Sequence, residues 1–279
     1  MNHLKCPICN ETLSIFRNDS YLDLPVGNCK NCDLYLCTAC SKEKLVLHVN
    51  SVYENKHWGS ENIWDAKIPT ESNYTDQESV GKKRNWISQT SYCRKFLKNT
   101  KKILEIGAGQ GQATYWFEQS GYVVLGLEPD AHNVNLINSK LKNSKCVVGF
   151  AEDFTIDEKF DSIWVSHVLE HLIDPITFLH KIQNNLNDDG FVFIEIPNCS
   201  NPEILNISIN KVPHTFHFTT KSLISLIKKT NFKIIHIDCF RPAKKIEGLL
   251  QKFFKLYSFY PRIKSSENDG KVIRIILKI

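Results

Sequence analysis

No stretch of this chain strings together the roughly 18 apolar residues that a membrane-crossing helix requires. An integral membrane segment is therefore not expected. The first residues, Met1-Asn2-His3-Leu4-Lys5-Cys6-Pro7, contain no apolar signal-peptide core, so the usual mark of export is missing. A soluble, cytoplasmic protein is the expectation. Repeats of solenoid period and low-complexity tracts are also lacking, which sets aside stacked-repeat architectures. Neither sign of charge is in large excess: 35 Lys and Arg face 30 Asp and Glu, a formal net charge of +5 spread along the chain. That balance does not demand a nucleic-acid partner, and none is expected. A chain of 279 residues suits one sizeable α/β core with small additions.

What is present is clearest in Lys101-Lys102-Ile103-Leu104-Glu105-Ile106-Gly107-Ala108-Gly109-Gln110-Gly111-Gln112. Ile103 to Ile106 read as a buried strand and Ala113 to Gln119 as the first turns of a helix. Gly107, Gly109 and Gly111 then form the strand-to-helix turn, where glycine permits positive φ and lets a ligand approach the backbone N–H groups. A dinucleotide fingerprint places glycines at the first, third and sixth positions, and here the sixth is Gln112, which disfavours NAD. The alternate-glycine triplet behind Glu105 resembles motif I of class I S-adenosylmethionine (SAM)-dependent methyltransferases. The resemblance implies that Glu105, Gly107, Ala108, Gly109 and Gly111 serve SAM, with the acid near the loop positioning its methionyl part. Taken alone, the motif is also compatible with a plain tight turn in an α/β domain.

Downstream residues extend the resemblance. Tyr122 to Leu127 is a second apolar run that ends in Glu128 and Pro129, about 20 residues beyond the loop, where a carboxylate can accept both ribose hydroxyls. A third run, Cys146 to Phe150, leads into Ala151-Glu152-Asp153, the place where these methyltransferases hold adenine. The family commonly has an acid where this chain has Phe150. Glu152 or Asp153 is therefore expected at the adenine amino group, with Phe150 packed on the ring.

The run from Phe160 to Pro175 contains Val168-Leu169-Glu170-His171 and Asp174-Pro175, and resembles the family's motif IV region in its "VLEH", spacer, "DP" form. Val168, Leu169, Leu172 and Ile173 recur at helical spacing and are expected to pack inward. His171 reads as a hydrogen-bonded residue closing the helix start. Ser166 and His167 fall at the carboxyl end of the strand, the edge where open α/β sheets bind ligands, and both are candidates for the cofactor pocket. Residues 178–186 read as an amphipathic helix, Asn187-Asp188-Asp189-Gly190 as a polar turn, and 191–196 as the fifth strand, followed by a loop through Val212. Pro213-His214-Thr215-Phe216-His217-Phe218-Thr219 resembles the family's H-x-x-H/Y-F-[ST] segment, with Thr219 or Thr220 capping a helix over 221–229. Strands over 232–239 and 272–279 complete the expected fold: a Rossmann-like α/β, seven-stranded class I methyltransferase sheet with a terminal hairpin.

Six of the ten cysteines lie in the first 40 residues, as the pairs Cys6/Cys9, Cys29/Cys32 and Cys37/Cys40. Paired C-x-x-C knuckles without an export signal point to zinc rather than disulfides. Cys6, Cys9, Cys29 and Cys32 are the expected ligands of one structural Zn2+, because four thiolates fill its tetrahedral shell. Asn10 and Asp33, after the two knuckles, suit turns that need a left-handed residue. Cys37 and Cys40 are spare thiols, replacements for one pair, or half of a second site with His48 or His57. Chelation is expected to loosen the N-terminus before it touches the chemistry. A zinc ribbon ahead of this methyltransferase form resembles bacterial and archaeal enzymes with an N-terminal zinc-binding domain, many acting on sugars, nucleotide-sugars or secondary metabolites.

The expected domains are thus a zinc-ribbon-like unit over 1–44, a connector or cap over 45–100, and the methyltransferase domain over 101–279 with an insert at 240–270. Tyr53, His57, Trp58, Trp64, Tyr74, Trp86 and Tyr92 concentrate in the connector and fit either a cap over the cofactor or ordinary packing. Lys82-Lys83-Arg84 fits a phosphate contact or a solvated face. Residues 244–257 read as a basic amphipathic helix for the acceptor side, a homodimer contact or a membrane surface.

Methyl transfer asks the protein to hold an acceptor in line with the sulfonium methyl and relieve it of a proton. His214, His167 and His217 are the candidate bases, in that order, because histidine titrates near neutral pH. If proximity suffices, no dedicated base exists. The resemblance implies methyl transfer to a small polar acceptor, a sugar or nucleotide-sugar. A non-catalytic SAM-binding scaffold, or an interaction protein whose zinc ribbon recruits a partner, is the alternative. No Asn/Asp-Pro-Pro-Tyr motif of amino-group methylation occurs.

Overall fold

A computed structural model of the chain describes residues 4–39, 80–244, 246–247 and 262–279, together with positions 43, 45, 47 and 51. Its framework is an eight-stranded sheet. β4 (Lys102–Ile106) lies at the centre, flanked by β5 (Val123–Glu128) and β6 (Lys145–Val148) on one side and β7 (Phe160–Ser166) and β8 (Leu186–Pro197) on the other, all parallel. β12 (Val272–Lys278) inserts antiparallel between β8 and β10 (Lys233–Pro242), with Ile275 opposite Ile194 and Ile237. The expected seven strands are all there. β11 (Arg262–Ser265), from the variable insert, adds an eighth at the edge beside β10. Ile103, Trp164, Phe193 and Ile276 are fully buried, as the apolar runs of strands covered on both faces require.

Helices follow where the chain stops pairing. α1 (Val80–Tyr92) and the single turn α2 (Arg94–Leu97) precede β4, and α3 (Gln112–Gln119) and α4 (Ala131–Asn138) follow β4 and β5. Asp130 caps α4 by accepting from the His132 and Asn133 amides. The VLEH segment is not the helix that its spacing predicts. It makes one 3-10 turn, Leu169–His171, and extends at Leu172; α5 (Pro175–Asn184) begins only where Asp174 accepts from the Thr177 amide at 3.1 Å. Pro175 disfavours helical geometry in the residue before it and so fixes that boundary. Val168, Leu169 and Leu172 are nevertheless buried, as expected.

Two further expectations are corrected. Asn187–Gly190 do not end the element: Phe160 faces Leu186 while Ser162 faces Phe191, so the polar residues form an irregularity inside β8, tied down by Asn187 Nδ2 donating to Asp161 Oδ1 at 2.8 Å. The expected loop before Val212 contains α6 (Pro202–Asn210), capped by Asn201 with Pro202 at its start. Thr219, rather than Thr220, caps α7 (Thr220–Ile227) in a reciprocal capping box with Ser222.

The N-terminal module is a small antiparallel sheet of β1 (Ser14–Arg17), β2 (Val26–Cys29) and β3 (Leu34–Cys37). Its fourth strand, β9 (Phe216–His217), comes from the C-terminal half of the chain, with Tyr35 opposite His217 and Leu36 opposite Phe216. Ile8, Leu34 and Leu36 share one buried cluster with residues of β4, β7 and β8. The expected amphipathic helix over 244–257 and the aromatics Tyr53, His57, Trp58, Trp64 and Tyr74 lie outside the described residues, apart from positions 244, 246 and 247 at the helix start.

Candidate active site

The carboxyl ends of β4, β5 and β7 open onto a cavity of about 300 Å³. Gly107, Gly109, Glu128, Pro129, Ala151, Glu152 and His167 of the expected cofactor set line it. Phe150, 43 % exposed, lines it too, as do Val168 and His171. Glu105, Ala108, Gly111, Asp153 and Ser166 do not.

The three loop glycines all have positive φ, and their surroundings give them different jobs. A Cβ on Gly107 would sit 2.5 Å from Val168 Cγ2, and one on Gly111 would sit 2.1 Å from Ile137 Cγ1. Those two glycines let the turn pack against the VLEH segment and α4. A Cβ on Gly109 would meet nothing within 4 Å; Gly109 keeps open space at the cavity. Its amide donates to Glu128 Oε2 at 2.7 Å, and the Asp130 amide donates to Oε1 at 3.1 Å. Burial still pushes the Glu128 carboxyl up to about 7. Glu105 lies behind the loop, where Thr114 Oγ1 donates to it at 2.5 Å; burial, with the Glu128 charge adding, pushes its carboxyl up to about 8.

Glu152 is committed to the chain itself, accepting from the Asp174 amide at 2.7 Å and the Ile173 amide at 3.1 Å. It clamps the loop after β6 to the loop before α5 and so shapes the cavity wall. Asp153 is exposed. Ser166 Oγ accepts from Gln89 Nε2 of α1 at 3.1 Å.

The three candidate bases separate in this geometry. His167 sits in left-handed backbone, φ 57°, with Nδ1 3.1 Å from Glu170 Oε1 and Nε2 3.4 Å from Glu195 Oε1. Burial opposes its charge, but the ring is 43 % exposed, and the two carboxylates pull its pKa up to about 10. At neutral pH it is an imidazolium and has no lone pair for an acceptor proton. Glu195 is fully buried; burial disfavours its charge, yet Arg274 (Nε to Oε2 2.6 Å) and His167 hold it well below the carboxylate range. His214 and His217 are buried behind the cavity, and both Nδ1 atoms lie 2.7 Å from the single Ser208 hydroxyl. Burial keeps both rings neutral, His217 down to about 3.

His171, which the sequence presents as a structural residue, reaches the cavity instead. Its Nδ1 lies 3.2 Å from the Pro213 carbonyl, which can only accept, so Nδ1 carries the proton and Nε2 the lone pair. Burial lowers its pKa, leaving the ring neutral. Its position beside Glu170 in the VLEH segment is the sequence signal that could have found it.

In the N-terminal module, Cys6, Cys9, Cys29 and Cys32 gather with all four sulfurs within 4.8 Å of one another. Asn10 (φ 64°) and Asp33 (φ 57°) take the expected left-handed conformation, and the Cys32 amide donates to Cys29 Sγ at 3.4 Å. The donor set fits a tetrahedral thiolate metal site. Cys37 stands apart, its thiol 3.4 Å from the His214 carbonyl and 3.6 Å from Ser20 Oγ. Cys40, His48 and His57 lie outside the described residues.

Known proteins share the fold of the parallel sheet. Among solved structures, a SAM-dependent methyltransferase from Archaeoglobus fulgidus superposes with a TM-score of 0.55 at 16 % identity, covering 75 % of this chain and 97 % of that one. The plantazolicin methyltransferase BpumL, solved with SAH, gives 0.51 at 16 % identity, covering 82 % and 88 %. At such identity the likeness is one of fold. Curated relatives include an uncharacterized methyltransferase of Alkaliphilus oremlandii, 31 % identical over 114 residues, 39 % of this chain and 51 % of that protein. The ubiquinone biosynthesis O-methyltransferase of Nitrobacter winogradskyi is 28 % identical over 112 residues, 36 % of this chain and 43 % of that protein. The chain spans about half the length of these curated relatives. The profile of the methyltransferase domain family matches residues 80–237, more than half of the sequence, and this chain therefore belongs to that family.

Proposed function

We propose that this protein is a SAM-dependent methyltransferase acting on a small polar acceptor, with a structural zinc ion in its N-terminal module. The observation that carries the reading is the cavity at the sheet's carboxyl edge, where open Gly109 and the buried Glu128 carboxylate stand side by side. Glu128 would accept from the ribose hydroxyls, Phe150 would cover the adenine ring, and Gly107 and Gly109 would admit the methionyl portion. The cofactor supplies an electrophilic methyl group on a sulfonium. The chain's part is to seat the acceptor, exclude water and hold Glu128 in place through the Gly109 and Asp130 amides; His167, held as a cation, is a wall residue in this reading.

For the acceptor we favour a sugar or nucleotide-sugar, on the resemblance of the cysteine-rich N-terminus to enzymes of that kind. The O-methyltransferase names of several relatives favour oxygen as the accepting atom. Zinc is proposed on the four converging thiols of Cys6, Cys9, Cys29 and Cys32.

Calorimetric titration with SAM tests the reading. Saturable binding is expected, weakened at least ten-fold by Glu128→Ala. Well-folded protein that binds no SAM would sink it and favour an interaction protein built on the same fold, and NAD binding would overturn the reading of the glycine spacing. Replacing Cys6 and Cys29 together is expected to release the zinc; full retention would place its ligands elsewhere.

A further inference from the structure

A second donor set converges behind the same cavity. Glu170 and His171 end the 3-10 turn after β7, and His214 arrives from the segment before β9. Thr215 joins the two pieces of chain: its amide donates to the Glu170 carbonyl at 2.9 Å and its hydroxyl to the Leu172 carbonyl at 2.5 Å. One ligand atom from each of Glu170, His171 and His214 then falls within 4.8 Å of the others, and the two rings meet edge to face at 4.6 Å.

We propose that Glu170, His171 and His214 form a second metal site, separate from the cysteine cluster, which takes a divalent transition-metal ion and turns its open positions toward the cavity. Glu170 is 1 % exposed, and its Oε2 has no hydrogen-bond partner among the described residues. A bare carboxylate oxygen at that depth costs free energy unless some further group meets it. Both imidazoles are already oriented as ligands are: His171 Nδ1 is held by the Pro213 carbonyl and His214 Nδ1 by Ser208, which directs the Nε2 atoms inward. The Nε2 of His214 lies 3.9 Å from Glu170 Oε1, a gap that an ion between them would bridge.

Two imidazoles and one carboxylate suit Zn2+, Fe2+, Mn2+ or Co2+, whereas Mg2+ and Ca2+ prefer oxygen alone. Three protein ligands leave coordination positions open. Because His171 lines the cavity in which the cofactor is proposed to sit, those positions open beside the cofactor, where an acceptor has to approach it. An acceptor hydroxyl bound there would ionise more readily: its O–H bond breaks, the electron pair stays on oxygen and the proton passes to water. That use rests on the methyl-transfer reading, while the metal site itself does not.

The test is Co2+ binding to the full chain with its cysteine-bound zinc left in place, followed by absorption and by elemental analysis after dialysis. Wild type is expected to hold a second ion whose visible bands come without a thiolate charge-transfer band. His171→Ala, at a half-buried position, should weaken that ion at least ten-fold, and Glu170→Gln should do the same if it folds. No ion beyond zinc in the wild type, or unchanged Co2+ affinity in His171→Ala, overturns the proposal. SAM affinity measured on the same samples keeps the two readings apart: loss of SAM binding with Co2+ binding intact defeats the cofactor assignment alone.

Discussion

Gly109 and Gly111 have the same backbone sign, φ 55° and 76°, but opposite surroundings. An alanine at Gly111 would drive its Cβ into Ile137, at 2.1 Å, so strain and overpacking add to a loss of about 2–4 kcal/mol. Gly109→Ala meets nothing within 4 Å and pays only the left-handed strain, about 1 kcal/mol. Urea unfolding should therefore rank Gly111→Ala as much the weaker fold, while Gly109→Leu should keep its fold and lose SAM. Equal destabilisation of the two alanine variants would refute this division of labour. Glu105 yields a pH prediction of definite sign. Its folded pKa, raised by burial to about 8, lies above the ordinary value of 4.5, so across that window the folded chain holds a proton that the unfolded chain releases. Stability must then fall as pH rises from about 5 to about 8, by up to roughly 1.4 kcal/mol per pH unit for each proton of difference. Glu128, raised to about 7, acts in the same direction. Glu105→Gln should flatten the slope in denaturant titrations, and an unchanged slope would show that Glu105 is ionised in the folded protein.

Among the elements, α1, β8 and β12 meet at a buried charge. Arg274 of β12 donates to Glu195 of β8 and to Ser88 Oγ of α1 at 2.9 Å, while Gln89 Nε2 of α1 donates to Glu195 Oε1 at 2.9 Å. Arg274→Met would leave Glu195 buried with His167 and the more distant Arg262 opposing its charge, a loss of about 3–5 kcal/mol. Adding Glu195→Gln should recover a large share; a double variant no more stable than Arg274→Met would show that the pair is not coupled. This junction was not legible in the sequence, since Asn85, Ser88 and Gln89 are neutral polar residues whose helical spacing looks like a solvated face. What was legible were features written locally: the apolar runs of β4, β5, β7 and β8, the glycine turn, Glu128 and the cysteine knuckles. α6 was missed although Asn201-Pro202-Glu203 is a helix start, because a loop was expected after Pro197. The VLEH helix was expected because Val168, Leu169, Leu172 and Ile173 have helical spacing, and Pro175 overrides that spacing. At the site, the sequence named the histidines but not their states. Those depend on which carboxylate, carbonyl or hydroxyl faces each ring, and such partners lie 3 residues away for His167 and Glu170 but 42 away for His171 and the Pro213 carbonyl.

For the molecule as a whole, the decisive contact is the strand that the two halves share. β9 completes the ribbon's sheet through Tyr35 and Leu36, and three further bonds fasten the same stretch: the Cys37 amide to the Thr215 carbonyl at 2.8 Å, Cys37 Sγ to the His214 carbonyl at 3.4 Å, and Thr219 Oγ1 to the Asp33 carbonyl at 2.8 Å. Asp33 directly follows Cys32 of the cysteine cluster. Loosening of the N-terminus on chelation would therefore extend to this stretch. A segment as short as the ribbon would depend on the proposed zinc for folding free energy, and loss of that ion would remove the partner strand of Phe216 and His217. Stripping the zinc should thus raise amide hydrogen exchange at residues 213–219 along with 26–37, while β4 and β5 at the centre of the parallel sheet keep their protection. SAM affinity should change little, since the glycine loop and Glu128 lie on those central strands, and any effect on turnover should fall on the acceptor. Exchange confined to residues before 40 would show instead that β9 stands without its neighbour.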